Sequence, residues 1–185
     1  NAEGRKPYLI PYGASNALGL QGYVEAMQEI VAQNVIADWI VVASSSGGTQ
    51  AGMVLGSLLH GFHGRILGIS VDSPAEDLRT LVVDLIRQGA EKLDLTLQIP
   101  PELVMVNDDY LGGGYAVMGE REIEAIRLFA SLEGLLLDPV YTGRAAAGLI
   151  GLIRQGFFNK QDRVLFWHTG GTPVLFAEPY LTALQ

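Results

Sequence analysis

The stretch VVASSSGGTQAGM, residues 41–53, decides the fold. Val41 and Val42 follow Asp38-Trp39-Ile40, so a short apolar run arrives as a buried strand. From Thr49 onward, Gln50, Ala51, Met53, Val54 and Leu55 suit a helix. The turn between them holds only small side chains. Glycines let a ligand approach the backbone closely, and a helix start adds free N–H donors and a favourable dipole. Ser45, Ser46, Gly47, Gly48 and Thr49 therefore read as an anion cradle suited to a phosphate. The plainer alternative is a tight strand-to-helix connection that binds nothing.

Outward from this stretch the chain alternates strands and helices. Residues 17–34 carry Leu18, Leu20, Val24, Met27, Ile30 and Val31 near helical spacing. Strands are predicted at DWIVVAS (38–44), GRILGISVD (64–72), ELVMVND (102–108) and RVLFWHTGG (163–171), the last as a buried strand. Helices are predicted over 49–61, 75–90, 119–131 and 143–156, with Asp72-Ser73-Pro74 opening the second and Gly89 near its end. GLLLDPVYTG, 134–143, reads as apolar and extended into a turn. This alternation predicts a twisted, mostly parallel α/β sheet with helices on both faces. Ligands in such sheets sit beyond the carboxyl ends of the strands. Loops 44–49, 107–115 and 168–172 are candidates, and 138–143 is a fourth if its strand runs the same way.

Composition narrows the function. The 185 residues suit one domain or a large piece of a bigger protein, and 49% of them are hydrophobic, enough for a sizeable core. A formal net charge of −8 argues against nonspecific nucleic-acid binding and against anionic membranes. There is no cysteine, which fits a cytoplasmic protein. No apolar run reaches the length of a membrane span and no signal peptide is visible. The chain opens with Asn-Ala rather than Met, which reads as the scar of an expressed piece.

Four ordered motifs carry a resemblance: SSSGGTQAG (44–52), GGGYAVMGEREIEAI (112–126), DPVYTGRAAAGLI (138–150) and LFWHTGGTPVLF (165–176), joined by IPYGASNALGLQGY (10–23). Together they resemble the C-terminal part of the pyridoxal-phosphate enzymes of the D-cysteine desulfhydrase and 1-aminocyclopropane-1-carboxylate deaminase family, which have the tryptophan synthase β-like fold (fold type II). The resemblance implies that residues 1–22 return from a preceding small domain and that 23–185 form the C-terminal part of the cofactor-binding large domain. It implies that the backbone N–H groups from Ser46 to Thr49, with the Thr49 hydroxyl, hold the phosphate of pyridoxal 5'-phosphate. It implies that Tyr115 and Tyr141 line the active site near cofactor and substrate. Thr142 would face the cofactor's pyridine nitrogen, where the deaminases carry glutamate. A neutral hydroxyl there weakens the electron sink and favours β-elimination over opening a cyclopropane ring. Arg144 stands where lysine is common and reads as a tolerated change of cation.

The resemblance implies that the family's Schiff-base lysine lies in an N-terminal part and that this chain is expected to begin after it. Lys6, Lys92 and Lys160 fall outside the motifs and read as solvated. The expected reaction of a complete enzyme is α-proton removal and loss of the β-substituent, giving pyruvate, sulfide and ammonia from D-cysteine. The chain alone is expected to be inactive. A 1-aminocyclopropane-1-carboxylate deaminase, an L-cysteate sulfo-lyase and a non-catalytic module binding a phosphorylated small molecule are the rivals. The expected partners are a small amino-acid substrate and a second copy, with apolar surface exposed around residues 10–23.

Other constellations read as weaker. His60 and His63 lack a third metal ligand. Ser45, His168 and Asp138 could be drawn as a hydrolase triad, but there is no G-x-S-x-G elbow. His168 is expected to pack or hydrogen-bond near the pocket rather than act as a base. Asp108 and Asp109 read as a solvated turn.

Overall fold

The computed structural model describes residue 4 and residues 6–185. Four parallel strands, β1 (Trp39–Ser44), β2 (Arg65–Ser70), β3 (Met105–Asn107) and β4 (Val164–Trp167), form one sheet in the order β3-β2-β1-β4. Their side chains alternate between the two faces, and both faces are covered. On one face Ile40, Val42 and Ile66 join a core built from α1 (Gln21–Ala32), α2 (Gly48–His60) and α3 (Ala75–Lys92). On the other, Trp39, Val41, Leu67 and Ile69 meet Ala145, Leu149 and Leu152 of α5 (Thr142–Arg154). Helix α4 (Glu120–Glu133) packs on α5 through Ala125 and Ile126, and a short α6 (Tyr180–Leu184) closes the chain. No helix among the described residues is long and apolar enough to cross a membrane.

The expected elements stand, with four corrections. Helix α1 starts at Gln21 rather than 17, because Asn16 Oδ1 accepts the Leu18 and Gly19 N–H groups at 2.9 and 2.8 Å and closes a turn instead. Residues 134–141 form no strand; Asp138 binds the backbone ahead of it and starts α5. β4 is half-buried along its length rather than buried, since it is an edge of this sheet. Asp108 is not a free carboxylate in a turn: its Oδ2 accepts the Ala75 N–H at 2.8 Å and caps α3 from across the sheet end.

Helices α1 and α2 touch backbone to backbone at Gly52 and Gly56. A methyl group on Gly52 would lie 2.3 Å from the Leu20 carbonyl oxygen, and one on Gly56 2.7 Å from Met27 Cβ. In an open helix Gly→Ala stabilises by about 1 kcal/mol. Here the clash with fixed backbone outweighs that gain, since overpacking costs roughly 1–3 kcal/mol. Gly52→Ala is expected to lower the urea midpoint with an unchanged slope.

Candidate active site

All four strands run the same way, so the loops following them gather at one end of the sheet. There β1 runs into Ser45-Ser46-Gly47 and α2. Gly47 takes a left-handed φ of 78°, which turns the backbone sharply enough to aim the start of α2 at the cleft. Ser44, Ser45, Ser46, Gly47, Thr49, Tyr141 and Thr169 line a cleft of about 120 Å³. Of the N–H groups from Ser46 to Thr49, that of Gly48 donates to Ser15 Oγ at 3.1 Å, so one expected donor is already engaged. The other three have no protein acceptor among the described residues. Ser44 Oγ, also on the cleft, is buried with no partner. These are the features of an anion site built from backbone and hydroxyls rather than from cationic side chains.

Residues 12–15 lie directly on this loop. Ser15 Oγ donates to Ser46 Oγ at 2.8 Å. Gly13, at φ 63°, leaves no room for a side chain against Ser46. Tyr12 OH lies 3.4 Å from Ser45 Oγ, and Ser45 in turn donates to Asp72 Oδ2 at 2.5 Å. The Ser45 hydroxyl, expected to bind cofactor, is thus directed to a carboxylate across the neighbouring loop.

Tyr115 and Tyr141 do come together. Their hydroxyls are 2.6 Å apart and their rings meet edge to face at 6.1 Å. Burial, and then the Tyr115 and Tyr12 hydroxyls, push the Tyr141 phenol well above the ordinary tyrosine value, so it stays protonated. Hydrogen bonding with Ser45 and Tyr141 pulls Tyr12 below that value. Tyr12 was not expected at the site. It stands within the IPYGASNALGLQGY motif, but its approach to Ser45 spans 33 residues and is set only by folding.

Two expectations for α5 are corrected. Thr142 is fully buried and its hydroxyl is committed to Asp138: it donates to Oδ1 at 2.7 Å and accepts the Asp138 N–H at 2.9 Å. It anchors the helix start and is not part of the cleft wall. Thr169, from the loop after β4, supplies the threonine that lines the cleft. Arg144, read as a tolerated change of cation, is built into the fold. It is fully buried, pairs with Glu122 at 2.8 Å and donates to the carbonyls of Val71, Gly114 and Val117 at 2.7–2.9 Å.

The remaining candidates lie elsewhere. His168 is exposed, its Nε2 3.3 Å from the Leu136 carbonyl and its Nδ1 accepting the Gly170 N–H, so it makes no triad with Ser45. Among the described residues no group of three or more His, Asp or Glu could hold a metal ion. Lys6, Lys92 and Lys160 are all exposed, and none lines the cleft.

The cleft and its fold agree with the comparisons. The model of the pyridoxal-phosphate dependent enzymes matches residues 1–170, and the chain belongs to that family. Among solved structures it is similar to the ACC deaminase homologue, with a TM-score of 0.87 and 38% sequence identity over 99% of this chain and 54% of that one. The chain thus spans about half the length of that relative. Pyridoxal 5'-phosphate-dependent aspartate racemase (TM-score 0.52, 15% identity, 89% and 52% of the two chains) shares the fold. So does O-ureido-L-serine synthase (TM-score 0.51, 15% identity, 82% and 45%).

The cofactor of the family is pyridoxal 5'-phosphate, and the residues present fit it. The unpartnered Ser44 hydroxyl and the three open N–H groups meet a phosphate's need for several donors at once. Gly47→Val would put a β-branched residue at a left-handed φ, with its Cβ 3.0 Å from Val82 Cγ2. In the full-length protein it is expected to weaken pyridoxal phosphate binding at least ~tenfold, about 1.4 kcal/mol, in an absorbance titration.

Proposed function

We propose that this chain forms the phosphate-holding and tyrosine-bearing side of a lyase site that eliminates the β-substituent of a small amino acid, D-cysteine foremost. The observation that carries this reading is the chemistry of the cleft wall: hydroxyls and backbone amides line it, and the Asp72 carboxylate beside it is already engaged by the Ser45 hydroxyl. Pyridoxal phosphate, when bound, supplies the electron sink that lets an amino acid lose its α-proton. A carboxylate beside its ring nitrogen would strengthen that sink. Neutral groups such as the Thr169 hydroxyl leave it weaker, which suits expulsion of a good leaving group such as sulfide.

The chain's own residues have distinct tasks. The N–H groups of Ser46, Gly47 and Thr49 and the Ser44 hydroxyl bind the phosphate. Tyr141, protonated throughout the neutral range, presents a hydrogen-bond donor at the cleft. Tyr115, 2.6 Å away, can give its own hydroxyl proton to a departing thiolate and be left as a phenolate that accepts from Tyr141. The net reaction takes D-cysteine and water to pyruvate, hydrogen sulfide and ammonia. The Schiff-base lysine comes from outside this chain's motifs, so the chain by itself is inactive in this reading.

The similarity to an ACC deaminase homologue favours a second reading, opening of 1-aminocyclopropane-1-carboxylate to 2-oxobutyrate and ammonia. The test supplies each amino acid to the full-length protein loaded with pyridoxal phosphate. Sulfide and pyruvate from D-cysteine support the first reading. 2-Oxobutyrate alone assigns the second, and no product from either overturns both.

We also propose that the chain self-associates. Tyr8, Leu9, Ile10, Tyr12 and Leu18 are all more than half exposed apolar side chains on one stretch that forms no strand. Light scattering is expected to give a dimer or larger; a monodisperse monomer overturns this.

A further inference from the structure

We propose that Arg144 is the positioning residue for the tyrosine pair, clamping the glycine-rich loop that carries Tyr115 to the helix start that carries Tyr141. The inference rests on the reading of Tyr115 and Tyr141 given above. Arg144 lies three residues after Tyr141 and belongs to the first turn of α5. Its guanidinium reaches three separate segments. Nε donates to Glu122 Oε1 in the first turn of α4 at 2.8 Å. Nη1 donates to Val71, just past β2, and to Gly114, at 2.7 and 2.9 Å. Nη2 donates to Val117 at 2.7 Å. Gly114 and Val117 flank Tyr115 and Ala116. Besides the fork, the loop is tied by the Tyr180 hydroxyl, which donates to the Ala116 carbonyl at 2.7 Å, and by turn bonds from the Gly114 and Val117 N–H groups to the Leu111 and Gly114 carbonyls. Gly112, Gly113, Tyr115 and Val117 are exposed, and Gly112, Gly114 and Ala116 take positive φ. Without the fork, the 2.6 Å contact between the tyrosine hydroxyls would depend on these few bonds alone.

Charge alone does not make this clamp. The planar fork presents five donors in fixed directions, and here they meet four acceptors on three chain segments. Lysine offers three donors on one atom. It could satisfy Glu122 and a neighbouring carbonyl, but not oxygens on both sides of the fork. A loss of alignment of this kind slows a reaction more than it weakens binding, because the tyrosines act on the reacting atoms.

The test is Arg144→Lys in the full-length protein with pyridoxal phosphate bound. Hydrogen exchange at residues 112–118 is expected to rise at least ~tenfold while α5 stays protected. The D-cysteine kcat is expected to fall at least ~tenfold with KM changed less than about threefold. Tyr115→Phe and the double variant complete a cycle. If Arg144 acts through Tyr115, the second substitution adds little to the first. Unchanged exchange at 112–118, or rate losses that multiply, overturn the proposal. A second measurement needs no folded variant: in the wild-type protein the Gly114 and Val117 amides, which donate to the Leu111 and Gly114 carbonyls, are expected to be protected because the fork fixes the loop they belong to, and free exchange there overturns the clamp as well. These exchange readouts stand without turnover, so a wild-type protein that consumes neither amino acid would refute the assigned reaction and leave the clamp to be judged on its own.

Discussion

Asp138→Ala is expected to be the most destabilising single substitution in the chain. Asp138 is fully buried, yet its carboxylate is saturated. It accepts the N–H groups of Val140, Tyr141 and Thr142 at 2.7–2.8 Å and the Thr142 hydroxyl at 2.7 Å. Its negative charge sits at the start of α5, where the helix dipole favours it. Gly171 packs against it, with room for no side chain: a Cβ there would be 2.9 Å from Asp138 Cγ. Alanine removes the acceptor and leaves three N–H groups without partners and the Thr142 hydroxyl, which still accepts the N–H of residue 138, without an acceptor. Each unsatisfied buried group costs about 1–3 kcal/mol. Partial rescue by water would leave a loss of roughly 3–5 kcal/mol, a large share of the 5–15 kcal/mol typical of a domain. Urea unfolding should show the midpoint collapse. Asp138→Asn, which keeps one acceptor oxygen, should lose about half as much. A loss below about 1 kcal/mol for alanine would mean that the helix start is held by something else.

Tyr141→Phe is expected to have the largest effect on turnover. The ring stays and packs as before, so the fold and cofactor loading should hold. What goes is the hydroxyl that bonds Tyr115 at 2.6 Å. General acid or base groups contribute roughly 10²–10⁴-fold, so kcat with D-cysteine should fall by about a hundredfold or more. The pH profile adds a second check. Burial and the neighbouring hydroxyls raise Tyr141 above the ordinary value of 10.0, so its proton remains through the neutral and mildly alkaline range. Wild-type activity should therefore show no alkaline fall belonging to Tyr141 up to that pH. A full rate in the phenylalanine variant would remove Tyr141 from the chemistry and leave it a packing residue.

Much of the molecule is legible along the chain. The runs WIVVAS and RILGIS are apolar on both faces, so a central parallel sheet under two helical layers follows from local pattern. Gly47, three residues past β1, allows the left-handed turn that leads into α2, so the Ser45–Thr49 part of the cleft is legible locally. Tyr141 and Thr169 join that cleft only through folding. Motif resemblance singled out Tyr115 and Tyr141 one by one, and the contact between their hydroxyls is set by folding across 26 residues.

Only the tertiary structure decided where the remaining side chains point. Thr142 and Thr169 are both threonines beside glycines, yet one is turned to Asp138 and the other lines the cleft. Ser45 belongs to the expected phosphate loop in sequence, but its hydroxyl donates a hydrogen bond to Asp72, 27 residues away. Arg144 reads as one more cation, and becomes a fully buried clamp because Val71, Gly114 and Val117 bring their carbonyls to it from 73, 30 and 27 residues away. Backbone periodicity is a local property, fixed by neighbours in sequence. The partner of a polar side chain is whichever group packing brings within 3 Å once water is gone, and no pattern of neighbours encodes that distance.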